Sequence, residues 1–363
     1  MGKVRSRAHI RDAEHEDSAI AAGLRYVSDI IPGIRRKRSG RGFSYYDPSG
    51  RLIVAESEIK RFRALVIPPA WTDVWICPDQ RGHLQVTARD ARGRKQYLYH
   101  PGFRAYREST KFERLFEFGK VIWKIRERVE HDIRLKGLPR DKVLATVVWL
   151  LERTLIRVGT HELASENKSY GLTTLRRRHV AIHGAQLRFE FRGKSRVEHA
   201  VSVTDRHIAR IVHRCHDLPG EILFKYMDNH GNRQEVEAAH VNDYLREASG
   251  AEITTKDFRT WAGTMTCAEY LRQVGTAKTK NEAERNVVRG VDHTAKRLGN
   301  TRAVCRKHYI HPTIIETYLE GHTLPPMPVR TSRVSRKPGG KLRKHEAQVL
   351  AFLKKMAKEK TIG

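Results

Sequence analysis

The sequence predicts an α+β protein: an antiparallel β-rich N-terminal domain, then a larger, mainly α-helical domain carrying a small β-hairpin sheet. Three patterns predict it. Turn-bounded strand signals fill residues 43–100, helical periodicity follows Pro101, and period-two alternation returns briefly at residues 187–203. With 363 residues, 39% of them hydrophobic, the chain has material for two or three domain cores. The expected division is 1–105, 106–328 and a basic linker with a short helix at 329–363. About 20 leading residues are expected to be disordered, as chain termini often are.

Ser44-Tyr-Tyr46, the turn Asp47-Pro-Ser-Gly50 and Arg51-Leu-Ile-Val54 read as a hairpin. Val74-Trp-Ile-Cys77, the turn Pro78–Gly82 and Leu84-Gln-Val-Thr87 read as a second. A turn at Asp90–Arg94 leads into Gln96-Tyr97-Leu98-Tyr99, where alternation puts Tyr97 and Tyr99 on one face. Further on, Leu144, Val147 or Val148, Leu151 and Leu155 recur every three or four residues. This predicts an amphipathic helix ending near Gly159 with Arg157 in its last turn. Leu187, Phe189 and Phe191 alternate with charged residues, Val197, Val201 and Val203 answer them, and Lys194 falls at the hairpin tip. Residues 205–320 read as helical, with Ala283, Val287, Val288, Val291 and Leu298 as one apolar stripe. Arg330–Lys344 is basic and broken by Pro-Gly-Gly, which predicts a mobile linker. Ala347, Leu350, Leu353 and Met356 or Ala357 then predict a short amphipathic helix, packed on the body or turned toward DNA by its basic face.

Lys and Arg number 70 against 41 acids, a formal net charge of +29 that attracts a polyanion strongly. Nucleic acid is the indicated partner, although charge alone leaves room for a ribosome-associated or merely well-solvated basic protein. The cysteines, Cys77, Cys215, Cys267 and Cys305, form no C-x-x-C pair, which argues against a zinc site or a disulfide framework and for a reducing, cytoplasmic compartment. Met1-Gly-Lys-Val-Arg-Ser-Arg7 lacks a signal-type apolar run, and no stretch of about 18 apolar residues exists to span a bilayer. Neither a phosphate-binding Gly-rich loop nor an acidic metal-ligand cluster accompanies the motifs below, so no nucleotide, metal or other cofactor is expected.

Chemistry concentrates in five residues. A tyrosine hydroxyl titrates near pH 10 (about 10), so as a nucleophile it needs a base or cations that favour the phenolate. Tyr309 is surrounded in sequence by Arg302, Arg306, Lys307 and His308. In-line attack on a phosphodiester builds charge on the non-bridging oxygens, which fixed guanidiniums can meet. Arg157, closing an apolar helix, and Arg259, between Phe258 and Trp261, fit that role. Lys194 on its hairpin tip is suited to protonate the leaving alkoxide. Nine residues on one helix would place Asn300 and Tyr309 on opposite faces (roughly 100° per residue). The helix must therefore break, with Gly299-Asn300-Thr301 starting a new one and Pro312 disfavouring helix at His311.

The strings that carry these residues are Leu155-Ile-Arg157-Val-Gly159 with Gly171-Leu-Thr-Thr-Leu175; Phe191-Arg-Gly193-Lys194; Lys256-Asp-Phe-Arg259-Thr-Trp261; and Asn300 through Tyr309-Ile-His-Pro312. In this order they resemble the catalytic domain of the type IB DNA topoisomerases, in the compact branch of poxviruses and bacteria, over roughly residues 65–320. The resemblance implies that Arg157, Arg259 and Lys194 surround the scissile phosphate of duplex DNA and that Tyr309 becomes linked to the 3′-phosphate. The free 5′-hydroxyl end rotates before rejoining, without ATP or metal. It implies further that Gln96, Tyr97 and Tyr99 lie against DNA, with Arg107 as another contact, in a monomer that clamps the duplex and associates with the nucleoid. Poxvirus members carry histidine nine residues before the tyrosine; Asn300, as in bacterial members, can donate a hydrogen bond but cannot shuttle a proton. A tyrosine recombinase is the nearest rival, but Arg259-Thr-Trp-Ala-Gly263 lacks its Arg-x-x-His box. A non-catalytic DNA-binding chromatin protein is the other. Binding to duplex DNA is expected to fall steeply between about 50 and 200 mM salt, as phosphate contacts release counterions; a flat anisotropy titration over that range points to a different partner.

Overall fold

The computed structural model describes residues 15–110, 112–228, 230–324 and 342–362. It divides into two compact units, one up to Glu113 and one from Arg114. In the first, a helical turn α1 (15–21) precedes β1 (Ile34–Ser39), β2 (Gly42–Tyr46), α2 (Glu56–Ala64), β3 (Thr72–Ile76), β4 (Leu84–Arg89), β5 (Lys95–Tyr99) and α3 (Pro101–Thr110). The strands form one antiparallel sheet in the order β2-β1-β3-β4-β5. Ile34, Tyr45, Phe62, Val74, Ile76 and Val86 fill its core.

The β-rich unit differs from expectation in its first hairpin. β2 pairs with β1, while Arg51–Val54 contributes only the isolated bridge between Tyr46 and Leu52. β1 reads in sequence as a charge run, Ile34-Arg-Arg-Lys-Arg-Ser39, yet its Arg36 is an internal tie: its guanidinium donates to the carbonyls of Ile67, Pro68 and Trp71 at 2.8–3.0 Å. The segment that the sequence leads one to expect as disordered is structured from residue 15; residues 1–14 lie outside the described chain. α3 belongs with this unit because Phe103 packs on His83 and Tyr99, with ring centroids 4.9 and 5.4 Å away.

The second unit runs α4 (Glu113–Asp132), α5 (Arg140–Thr154), α6 (His161–Asn167), β6 (Val180–His183), β7 (Gln186–Arg192), β8 (Glu198–Thr204), α7 (Arg206–Asp217), β9 (Lys225–Met227), β10 (Arg233–Glu235) and α8 (Ala238–Ser249). It ends with α9 (Thr255–Val274), α10 (Lys280–Leu298), α11 (Arg302–His308), α12 (Pro312–Leu319) and α13 (Lys344–Ile362). β6-β7-β8 make an antiparallel sheet, and β7 shows the expected alternation, with Leu187, Phe189 and Phe191 buried. The short β9–β10 pair interrupts a region expected to be all helical.

α5 is not amphipathic. Ten of its fifteen residues are buried, and it touches α7, α8, α9, β8 and β9, so it is the central helix of the unit. It also ends earlier than the periodicity suggests: Leu155 turns left-handed (φ 57°) and its N–H closes on the Leu151 carbonyl. Arg157 therefore lies beyond the helix. On α10 the apolar stripe holds except at Val288, which is exposed. No helix among the described residues is long and apolar enough to cross a membrane.

The last helix packs on the body. Val349, Leu350 and Leu353 are buried, each worth about 2 kcal/mol of burial, and Leu350 and Trp261 both abut Gly119 of α4. The expected linker ahead of it lies, up to residue 341, outside the described residues. Buried Glu346 fixes the register: it accepts from Arg126 Nη1 and Nη2 at 2.9 and 2.7 Å and from Trp261 Nε1 at 3.2 Å. Burial alone raises this carboxyl, but the Arg126 bonds and charge prevail and hold it at about 2, against an ordinary 4.5. A depressed carboxyl stabilises the fold fully above its unfolded value, and this contribution is lost as pH falls through the folded one. Glu346→Gln is expected to lower stability by about 3 kcal/mol at neutral pH, as for a broken buried ion pair. The gap in melting temperature between wild type and variant should close as pH falls from 4.5 toward 2; a gap independent of pH excludes this origin.

Candidate active site

The segment after α5 is clamped from one side. The Arg157 carbonyl accepts the Leu172 N–H at 2.8 Å, and Thr173 Oγ1 donates to the Gly159 carbonyl at 2.7 Å. A Cβ on Gly171 would stand 2.3 Å from the Arg157 oxygen, and one on Gly159 2.2 Å from Thr174 Oγ1. Only glycine permits this approach. The Gly-Leu-Thr-Thr string is thus the cradle that presents Arg157.

Arg259 sits buried on α9. Its Nη1 donates to the Leu155 carbonyl and its Nη2 to that of Leu298 at 2.7 Å. One guanidinium thereby satisfies carbonyls at the C-terminal ends of two helices, α5 and α10, where the helix dipole favours a cation. Gly299 (φ 59°) ends α10, and Thr301 caps α11 by accepting the Val304 N–H on its Oγ1. The required break between Asn300 and Tyr309 is therefore present. Asn300 Oδ1 accepts from Arg157 Nη2 at 2.5 Å.

Tyr309 closes α11, its N–H on the Cys305 carbonyl. Its ring lies beside the buried guanidinium, with Arg259 Cζ 5.1 Å from the centroid. One turn beyond Arg259 on α9, Gly263 meets the Tyr309 backbone: a Cβ there would be 2.4 Å from its carbonyl oxygen. Lys194 opens a 3₁₀ turn, Lys194–Arg196, at the tip of the β7–β8 hairpin and is exposed. Asn300, Arg157, Arg259 and Tyr309 are thus brought together by direct contacts, whereas Lys194 stands on the hairpin tip outside those contacts.

The electrostatics follow from this packing. Burial raises the Tyr309 phenol, but Arg259 and then Arg157 outweigh it and leave the pKa below its ordinary value. The cations adjacent in sequence do not supply this effect; Arg302, for one, is engaged by Asp292 at 2.6 Å. Burial and the neighbouring Arg157 bring Arg259 itself down to about 10, which leaves it charged at neutral pH. Arg259 Nε and Asn300 Nδ2 are buried donors with no hydrogen-bond partner among the described residues. Tyr318, the next tyrosine along, is a core residue whose hydroxyl donates to the Gly275 carbonyl and accepts from Asn286. No group of three or more His, Cys, Asp or Glu among the described residues is placed to hold a metal ion.

The other expected contacts lie in the first unit. On β5 the rings of Tyr97 and Tyr99 stack, 6.2 Å apart and 9° from parallel, and Tyr97 is largely exposed. Gln96 Nε2 donates to Asp90 at 2.9 Å. Arg107, on α3, lies 5.8 Å from the Phe103 ring. Two residues of the second unit escape sequence reasoning: Gly263, whose approach to Tyr309 has only the i, i+4 spacing from Arg259 as its signal, and His199 on β8, which has none.

Comparison with known proteins identifies the family. The family described as eukaryotic DNA topoisomerase I, catalytic core, matches residues 100–323, and the bacterial DNA topoisomerase IB N-terminal domain matches residues 42–90. DNA topoisomerase 1B of Acanthamoeba polyphaga mimivirus is 31% identical over 296 residues, 80% of this chain and 88% of the relative. DNA topoisomerase 1B of vaccinia virus (strain Copenhagen) is 23% identical over 62% of this chain and 70% of its own. The chain belongs to the type IB DNA topoisomerases. Its N-terminal unit carries the domain of the bacterial members. Alanine ordinarily favours a helix over glycine by about 1 kcal/mol, yet Gly263→Ala is expected to bring no rise in melting temperature and a lower yield of covalent protein–DNA adduct, because the new methyl displaces Tyr309. A more stable variant with normal adduct yield shows the contact to be slack.

Proposed function

We propose that this protein relaxes supercoiled duplex DNA by nicking one strand, holding its 3′ end on Tyr309, and resealing it after rotation. The Tyr309 oxygen attacks the phosphorus, the bond to the 5′ oxygen breaks, the phenolic proton passes to solvent, and Lys194 protonates the leaving oxygen. Religation reverses each step, so the phosphotyrosyl bond conserves the energy of the phosphodiester and no external source is needed. Arg157 and Arg259 meet the charge on the non-bridging oxygens. Asn300 has two tasks: its Oδ1 orients Arg157, and its Nδ2 donates to the phosphate.

The observation that carries this reading is the convergence of Arg157 and Arg259 on one tyrosine whose pKa they lower, with Asn300 bonded to Arg157 and two buried donors left free for an oxyanion. Gln96, Tyr97, Tyr99 and Arg107 contact the same duplex, and the stacked pair on β5 offers flat surface to sugar and base edges. The active form is a monomer that clamps the duplex and works in the bacterial nucleoid. Purified protein in EDTA without ATP is expected to relax plasmids of either supercoil sign, since a free 5′ end follows torque in both directions. Tyr309→Phe should bind DNA normally and trap no adduct under denaturant. Relaxation of one sign only, or an adduct at wild-type level in the variant, contradicts the proposal.

A further inference from the structure

His199 has no part in the chemistry assigned so far, yet it lies between two of its members. Its ring stacks on Phe191, with centroids 5.0 Å apart and planes 10° from parallel. Two glycines from distant parts of the chain abut different edges of that ring. A Cβ on Gly193 would stand 2.6 Å from Cδ2 and Nε2, and one on Gly299 would stand 2.5 Å from Cε1 and 3.1 Å from Nδ1. Gly193 precedes Lys194; Gly299 precedes Asn300. Gly299 needs no side chain for a second reason, its positive φ, but Gly193 has φ −94°, which any residue adopts. At Gly193 the absent Cβ serves the approach of the imidazole.

The surroundings of the ring also favour its neutral form. Burial first, then the charges of Arg157 and Arg259, hold its pKa below the ordinary value against the opposing pull of Glu198. A flat, neutral, stacked ring can fill the gap between hairpin and loop without adding a charge beside two guanidiniums. It has few rotamers to lose, so it fixes distance more firmly than a flexible chain does.

We propose that His199 is a positioning residue for strand transfer: its imidazole is the spacer that sets the Lys194 turn against the Asn300 loop. The inference rests on the reading in which Lys194 protonates the 5′ oxygen, and it explains how an exposed lysine on a hairpin tip is held in register with Asn300, Arg157 and Tyr309. The test uses single-turnover cleavage by the full chain on two duplexes, one with the ordinary 5′ bridging oxygen and one with sulfur there, since a thiolate leaves without a proton. On the ordinary substrate His199→Ala should cleave up to about 100-fold more slowly, the order expected for an ångström-scale misplacement, with unchanged DNA binding. The sulfur substrate should recover most of that loss, as it does for Lys194→Ala, and His199→Ala combined with Lys194→Ala should be little slower than Lys194→Ala alone. His199→Phe, which keeps the ring, should regain much of the rate. Wild-type speed in His199→Ala overturns the inference. So does a defect that sulfur leaves untouched while it rescues Lys194→Ala, for that marks general loss of structure. If His199→Ala does not fold, Gly193→Ala displaces the same ring from the hairpin side and must show the same rescue or the inference fails. Absence of cleavage by the wild-type chain on either duplex overturns the parent reading instead.

Discussion

The site depends on a single buried cation. Arg259 is almost wholly removed from water, and an isolated charge in that position would be prohibitive without partners. Its partners are the carbonyls of Leu155 and Leu298, each at the end of a helix, so the guanidinium draws α5 and α10 to the same point on α9. Arg157, Asn300 and Tyr309 are placed from there. Leu155 leads in two residues to Arg157, Leu298 leads in two residues to Asn300, and these two side chains then bond each other. Tyr309 arrives on the same face of α9 through Gly263. The buried guanidinium beside Tyr309 is thus also the group that assembles its companions.

Such a keystone has to be supported from behind. Trp261, two residues along α9 from Arg259, donates its indole N–H to Glu346 on α13, and Glu346 is paired with Arg126 of α4. Glu152 of α5 joins the same group, bonded to Arg126 and to Arg343. Four helices, α4, α5, α9 and α13, thereby share one polar network, which makes the C-terminal helix part of the scaffold. Asp257 does similar work at the start of α9, accepting the Thr254 N–H at 2.8 Å and pairing with Arg114.

Local chemistry was easier to read from sequence than distance was. The break between Asn300 and Tyr309 follows from helix geometry and from Gly299, Thr301 and Pro312, and it is there. So are the β7–β8 hairpin with Lys194 at its tip and the stacked tyrosines of β5, each dictated by alternation within one segment. What failed had its cause elsewhere in the chain. β1 drew no expectation, because its basic run carries no apolar period and the carbonyls that hold Arg36 come from residues 67–71. The end of α5 is hidden because a leucine, not a glycine, takes the left-handed turn, and its carbonyl faces Arg259 from another helix. Buried helices such as α5 also blur the period on which an amphipathic reading relies. The cationic setting of Tyr309 was expected from its immediate neighbours, whereas the cations that lower its pKa lie 50 and more residues away.

The bond between Arg157 and Asn300 has a consequence for how the site responds to its surroundings. A carboxamide has a fixed polarity: its oxygen can only accept and its nitrogen can only donate, at any acidity a cell experiences. With the oxygen committed to Arg157, the nitrogen is left as donor without any choice of tautomer. An imidazole in the same place would lose its acceptor on gaining a proton, release the arginine, and add a third positive charge. Asparagine makes the orientation of Arg157 indifferent to acidification, so that any sensitivity to proton concentration is confined to the groups that move protons during the reaction.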